Sequence, residues 1–271
     1  MIEKYKLNGN SQIKHTIGVM SGKGGVGKSS VTSLLAVSLM EQGYRVGVMD
    51  ADITGPSIPK VFGLSGKRAR GSETEIFPVE TAKGIKIMSI NVLVENDDDP
   101  VVWRGPVLSG IIKRFYEEVN WGELDVLLID MPPGTGDVPL TVMQSLPVDG
   151  IVVVSSPQDL VGLIVKKSIK MANMLHTPIL GLIENMAYLE CPDCGGKHNV
   201  FGTSKVPEVA KEHDLPLIAS LPIDPKLAEL SDEGKVELYG KINYTFGEDF
   251  GSKVKDMMAE LDKKPFVLPS F

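Results

Sequence analysis

The residues best equipped for chemistry sit in short runs with recognisable spacing. Gly22-Lys23-Gly24-Gly25-Val26-Gly27-Lys28-Ser29 fits G-x-x-x-x-G-K-[ST], a phosphate-cradling loop, and Ser30 continues it into a helix. Its glycines let the backbone wrap an anion, so that N–H groups and the following helix N-terminus point inward. Lys28 would set a cation on the terminal phosphates, and the Ser29 hydroxyl would complete a Mg²⁺ shell. Lys23 is a second loop cation, at a position with no fixed chemistry in an ordinary phosphate loop. Downstream, Asp50 and Asp52 stand at i and i+2 on a strand end. Both therefore point toward the carboxyl edge of a sheet, where ligands bind. The competing reading is capping of a helix near Ser57. Val126-Leu127-Leu128-Ile129-Asp130 is an apolar strand ending in an acid, and Asp130 should hold Mg²⁺ through water. The next run, Met131-Pro132-Pro133-Gly134-Thr135-Gly136-Asp137, is stiff and then flexible, which suits a sensor of the terminal phosphate. Phosphoryl transfer to water is mostly positioning and electrostatics, so no side-chain nucleophile is required.

A different chemistry is written in Cys191-Pro192-Asp193-Cys194-Gly195-Gly196. Two cysteines separated by Pro-x and followed by Gly-Gly predict a tight knuckle whose backbone N–H groups can reach the sulfurs. Such ligands suit Zn²⁺ or an iron–sulfur cluster, and both usually take four. The chain has only two cysteines. His198 could add a third ligand, and the simplest completion is a second copy related by two-fold symmetry. Structural zinc, a redox pair and a metal-free turn remain alternatives. The Gly-Gly that follows argues against a thioredoxin-like pair, which opens a helix.

These runs need a scaffold that brings strand ends together. Apolar, β-branched segments at 15–20, 44–49, 85–90, 125–129, 150–154, 178–183 and 217–220 read as strands. Three of them are continuous apolar runs, as parallel strands covered on both faces require. Helical patterns fill the intervals. The cleanest is 159–176, with Asp159 as N-cap, Val165, Ile169 and Ala172 on one face and Lys166, Lys167 and Lys170 off it. The alternation predicts an α/β fold: one P-loop NTPase domain over 1–271, its mostly parallel twisted sheet flanked by helices on both faces. Residues 1–13 read as a polar arm, 186–200 as the knuckle insertion and 247–271 as a C-terminal helix and tail. Residues 62–99, with acids at Asp97–Asp99, break the rhythm and suggest a switch-like excursion with a small hairpin.

A net charge of −7 and a pI near 5.2 argue against a nucleic-acid binder, leaving Lys67, Arg68 and Arg70 as a solvated loop patch. No apolar run approaches the roughly 20 residues of a membrane span. The first ten residues are polar, and two close cysteines cannot form a disulfide framework, so a cytoplasmic protein is expected.

The run KGGVGKS resembles the deviant phosphate loop of the MinD/ParA/nitrogenase-iron-protein class of ATPases. Together, GKGGVGKSS, DADITGPSIP, WRGP at 103–106, DMPPGTGD, and ENM followed by CPDCG are similar to the Mrp/ApbC family of iron–sulfur cluster carrier ATPases. The match runs from about residue 15 to 225, in the family's motif order. The resemblance implies slow hydrolysis of ATP, with Lys23 reaching across a homodimer to the partner's nucleotide. It makes Asp52 the residue that positions the attacking water and Asp50 a support of the metal shell. Asn185 would contact adenine, with Pro222 and Asp224 nearby. Cys191 and Cys194 would bridge a [4Fe-4S] cluster between two copies for transfer to apo iron–sulfur acceptor proteins. The main rival is a MinD- or ParA-like positioning ATPase, which would use a basic amphipathic tail or face on membrane or DNA. Residues 253–262 are amphipathic, but their lysines alternate with acids, so they read as a helix docked on the body. A nitrogenase-type reductase spaces its two cysteines far apart, unlike this knuckle. A nucleotide-switched interaction protein with structural zinc is the third alternative.

Overall fold

The computed structural model describes residues 4–72, 75–94, 105–158, 161–242 and 244–263. The chain opens with β1 (Gln12–Ser21), α1 (Lys28–Glu41), β2 (Val46–Asp50) and the short α2 (Ile58–Val61). Four brief strands follow: β3 (Arg70–Gly71), β4 (Ile76–Phe77), β5 (Val79–Glu80) and β6 (Lys86–Met88). Then come α3 (Gly105–Glu117), β7 (Glu123–Asp130), α4 (Asp137–Ser145), β8 (Gly150–Ser155), α5 (Val161–Met174) and β9 (Ile179–Glu184). The last part holds β10 (Leu189–Glu190), β11 (Lys197–His198), α6 (Val206–Glu212), β12 (Leu217–Ser220), α7 (Pro225–Asp232), α8 (Tyr239–Ile242) and α9 (Tyr244–Lys263).

Eight strands form one sheet in the order β12-β9-β8-β1-β7-β2-β6-β5, parallel except for β5, which pairs antiparallel with β6. Each of the expected strands is present. β1 starts at Gln12, inside the stretch read as an N-terminal arm, and Tyr5 already bonds backbone to backbone with Ser145. The hairpin expected in the excursion is β3–β4. Acids 97–99, Trp103 and Arg104, Asp159 and the tail 264–271 lie outside the described residues.

Residues 17–21 and 126–130 and all of β2 and β8 are buried without alternation, because both faces of these parallel strands are covered. One helix layer is built on α1, whose Val31, Leu35, Ala36 and Leu39 are buried. That helix lies between the sheet and α9, which explains why it lacks a polar face. Val254, Met257, Met258 and Leu261 of α9 form its buried stripe, so the C-terminal helix docks on the body as its pattern predicts. The other layer holds α3 with α4 and α5 with α6; Val165, Ile169 and Ala172 of α5 face the sheet.

Topology places the chemistry. β1 is central, and its chain leaves through α1 to β2, passing over β7. The carboxyl ends of β2 and β7 are therefore neighbours, with Asp50 in register with Asp130, and Val19 of β1 flanks Asp130 on the other side. An apolar strand that ends in an acid thus presents it beside the loop following β1.

Candidate functional site: a phosphate loop and a cysteine knuckle

The loop after β1 lines a cavity of about 270 Å³. Its walls take in Lys23, Gly24 to Ser30, Asp52, Ser57 and Pro133. Gly27 caps α1 in the left-handed region at φ 75°, and α1 carries no acidic residue in its first turn. Its free N–H groups, dipole and Lys28 make this end of the cavity a site for anions.

Beneath the loop lies a buried polar cluster. The Lys28 ammonium is 2.7 Å from Asp130 Oδ2, with Lys28 6% and Asp130 0% exposed. Ser29 Oγ donates to Asp130 Oδ2 at 2.6 Å, and Thr32 Oγ1 to Oδ1 at 2.6 Å. A hard-oxygen set of this kind, Ser29 hydroxyl and Asp130 carboxylate together, fits Mg²⁺. Thr32 was not singled out from the sequence. Its signal is the i+4 spacing from Lys28, which puts its hydroxyl on the same side of the helix.

Asp50 and Asp52 have different surroundings. Asp50 is wholly buried behind the cavity wall and accepts from Ser89 Oγ at 3.2 Å, Asp52 N at 3.2 Å and Ile58 N at 3.3 Å. Burial first, and the Asp130 carboxylate second, push its carboxyl well above the usual range. Asp52 lines the cavity itself; burial raises its carboxyl while the Lys28 charge opposes that rise. The helix-capping alternative thus has substance at Asp50, which receives the first amide of α2.

Lys23 donates its ammonium to the Gln158 carboxamide of the same chain, in the segment that follows β8. Pro133 stands against Gly24, and Gly134 N bonds Ser21 O at 2.8 Å, which ties the loop after β7 to the phosphate loop. Asn185, 7% exposed, donates its amide to the Val26 carbonyl at 3.0 Å, under the loop. Asp224 caps α7 by accepting from Lys226 N at 2.8 Å and from the Tyr239 hydroxyl at 2.7 Å; Pro222 lies just before it.

The cysteines lie on a hairpin made of β10 and β11, pairing Leu189 with His198 and Glu190 with Lys197. Cys191 N bonds Gly196 O and Gly195 N bonds Cys191 O, both at 2.9 Å, and Gly195 takes φ 69° to close the turn. Backbone N–H groups of Cys194 and then Asp193 lie on the Cys191 sulfur and lower its thiol value. Both thiols are free, Cys191 half-buried and Cys194 exposed. His198 sits on the facing strand, but among the described residues no group of three His, Cys, Asp or Glu side chains is arranged to hold a metal ion. The hairpin thus offers a pair of thiols and not a full ligand set.

A parallel sheet with a G-x-x-x-x-G-K-[ST] loop, Lys28 and Asp130 at its carboxyl edge defines a P-loop NTPase. The family model described as ParA, NUBPL iron-transfer P-loop NTPase, matches residues 12–258. The chain belongs to that family of nucleotide-binding iron-transfer proteins. It is 50% identical over 242 residues to an iron–sulfur cluster carrier protein of Clostridium perfringens, covering 86% of this chain and 85% of that one. A nucleotide-binding protein of Archaeoglobus fulgidus, solved in complex with ADP, superimposes with a TM-score of 0.75 at 48% identity, over 84% of this chain and 89% of that one. MinD of Aquifex aeolicus shares the fold alone, with a TM-score of 0.65 at 18% identity over 90% of this chain and 97% of that one.

Proposed function

We propose that this chain is an ATP-dependent carrier of iron–sulfur clusters, acting in the cytoplasm as one P-loop domain and a homodimer. In this reading Cys191 and Cys194 from each of two copies hold a [4Fe-4S] cluster, the cargo, which is passed to apo iron–sulfur acceptor proteins. The observation that carries it is the pair of free thiols, Cys191 and Cys194, on a hairpin of the same chain that forms the phosphate cavity. Two thiols per chain fit a shared cluster that takes four.

At the nucleotide end, the α1 N-terminus and Lys28 bind the phosphates of ATP. Mg²⁺, held by Ser29 and Asp130, would neutralise charge on the phosphate oxygens. Asp52, on the cavity wall, orients water for attack, and Asp50 braces the strand end behind it. Lys23 adds positive charge at the rim, in trans once two copies face each other. Asn185, Pro222 and Asp224 border the base. The MinD-like rival gains no support from the C-terminal helix, whose apolar stripe is buried against the body. No helix of the described residues is long and apolar enough to cross a membrane.

Anaerobic reconstitution with iron and sulfide tests the carrier reading. The wild type should gain iron, sulfide and visible absorption, and Cys191→Ala should gain none while still binding ATP. Equal loading of Cys191→Ala would overturn the thiol assignment, and uptake of zinc alone by the wild type would replace carrier with structural site.

A further inference from the structure

We infer that Asn185 and Met186 form a mechanical link between the phosphate loop and the cysteine knuckle, so that nucleotide in the cavity alters the reactivity of Cys191 within a single chain. This deepens the carrier reading by naming the route of its nucleotide response, and it rests on that reading only for its purpose.

The link is short and clamped at each step. Val26 and Asn185 are both buried, and the Asn185 amide donates to the Val26 carbonyl at 3.0 Å. Gly27, at φ 75°, leaves no room there: a Cβ on it would lie 2.2 Å from Asn185 Nδ2. The loop therefore cannot rearrange at Val26–Gly27 without moving Asn185 or breaking its hydrogen bond. On the backbone side, Asn185 N is tied to Ser155 O of β8 at 2.7 Å. The next residue, Met186, has φ 57°, a left-handed conformation that a residue with a long side chain rarely adopts.

Beyond Met186 the chain runs directly to the knuckle. Ala187 N bonds Leu221 O at 2.8 Å, Ile223 N bonds Tyr188 O at 2.7 Å, and Leu189 pairs with Ile223. β10 follows at once and delivers Cys191. From Asn185 to Cys191 the backbone spans at most about 20 Å. The segment 187–189 is held by 221–223 as by a rail, so displacement at Asn185 is passed along it rather than dissipated. Between Asn185 and Cys191, Met186 is the one residue in the left-handed region, and the link places its backbone change there. At the far end, Cys191 follows β10 directly and is held by the turn it shares with Gly195 and Gly196, bonded at 2.9 Å through both its N–H and its carbonyl, so a shift of β10 changes the setting of its sulfur.

The test uses the cluster-free chain of 271 residues, whose only thiols are Cys191 and Cys194. Alkylation of Cys191 by iodoacetamide is followed with and without saturating Mg-ATP, over a range of protein concentrations. The wild-type rate should change about five-fold or more with nucleotide, equally at every concentration, because the route lies within one chain. Asn185→Ala, saturated with nucleotide at whatever level that requires, should alkylate at its nucleotide-free rate. Met186→Gly keeps the Asn185 amide but frees the strained backbone, and should bind ATP as the wild type does with a reduced thiol response. A full wild-type response in both variants would overturn the link, as would a response that grows only with protein concentration, which signals dimerisation instead. A wild type that loads a cluster but shows no thiol response overturns the link and leaves the carrier reading standing. The converse result supports the link and removes the carrier.

Discussion

The nucleotide end and the thiol end of this molecule are built in opposite ways. Lys28, Thr32, Asp50 and Asp130 are buried at strand ends and a helix start, and Asp130 accepts from Ser29 and Thr32 beside the Lys28 charge. The knuckle rests on strands of two residues each, with Cys194 exposed and Cys191 half-buried. A site that must pre-arrange charge against phosphates belongs in the core, where low dielectric strengthens each contact. One that must release its cargo belongs outside, with few contacts of its own. The first is over-determined and the second incomplete, and substitutions should separate them.

The largest effect is expected at Lys28. Lys28→Ala leaves the Asp130 carboxylate buried without its cation, which should cost about 3–5 kcal/mol in urea unfolding and abolish ATP binding. A loss below about 1 kcal/mol would mean that the cluster is far more hydrated than its burial indicates. Thr32→Val comes next, at about 1–3 kcal/mol, because it removes the donor to Asp130 Oδ1. Thr32→Ser should recover most of that, and equal losses in the two variants would assign the effect to packing.

At the knuckle, Cys191→Ala should change unfolding by less than about 0.5 kcal/mol, since surface positions rarely cost more. The same change should eliminate cluster loading, so stability and function part company there. The smallest effect concerns pH. The folded-state thiol of Cys191 is lowered by backbone N–H groups, so its thiolate persists to lower pH than in the unfolded chain. Its contribution to stability is present above the unfolded thiol value and fades as pH falls through the folded one. In Cys194→Ala, which keeps both backbone donors, the alkylation rate of Cys191 should rise at lower pH in the folded protein than in urea. Coincident curves would show that the N–H groups do not reach the sulfur in solution.

What was legible in the sequence follows the same division. Lys28, Ser29 and Asp130 were readable because loop, strand and helix signals coincide around them, and parallel topology leaves one place where such ends can meet. Continuous apolar runs gave the sheet, and the 253–262 stripe gave the docked C-terminal helix. Ser89, Gln158 and the Asn185–Val26 bond were not readable. Each depends on which strand lies beside which, as when β9 comes to rest under a loop 159 residues earlier. Antiparallel β5 and the two-residue strands of the knuckle hairpin escaped because they are too short to show a period.

In the carrier reading, the free thiols of one chain are half of a site. Native mass spectrometry of the anaerobically reconstituted wild type measures this directly, by weighing chain, iron and sulfide together. The account predicts one particle holding two chains and one four-iron cluster, falling to metal-free chains in Cys191→Ala. A cluster or metal ion retained on single chains, undisturbed by that substitution, would contradict it.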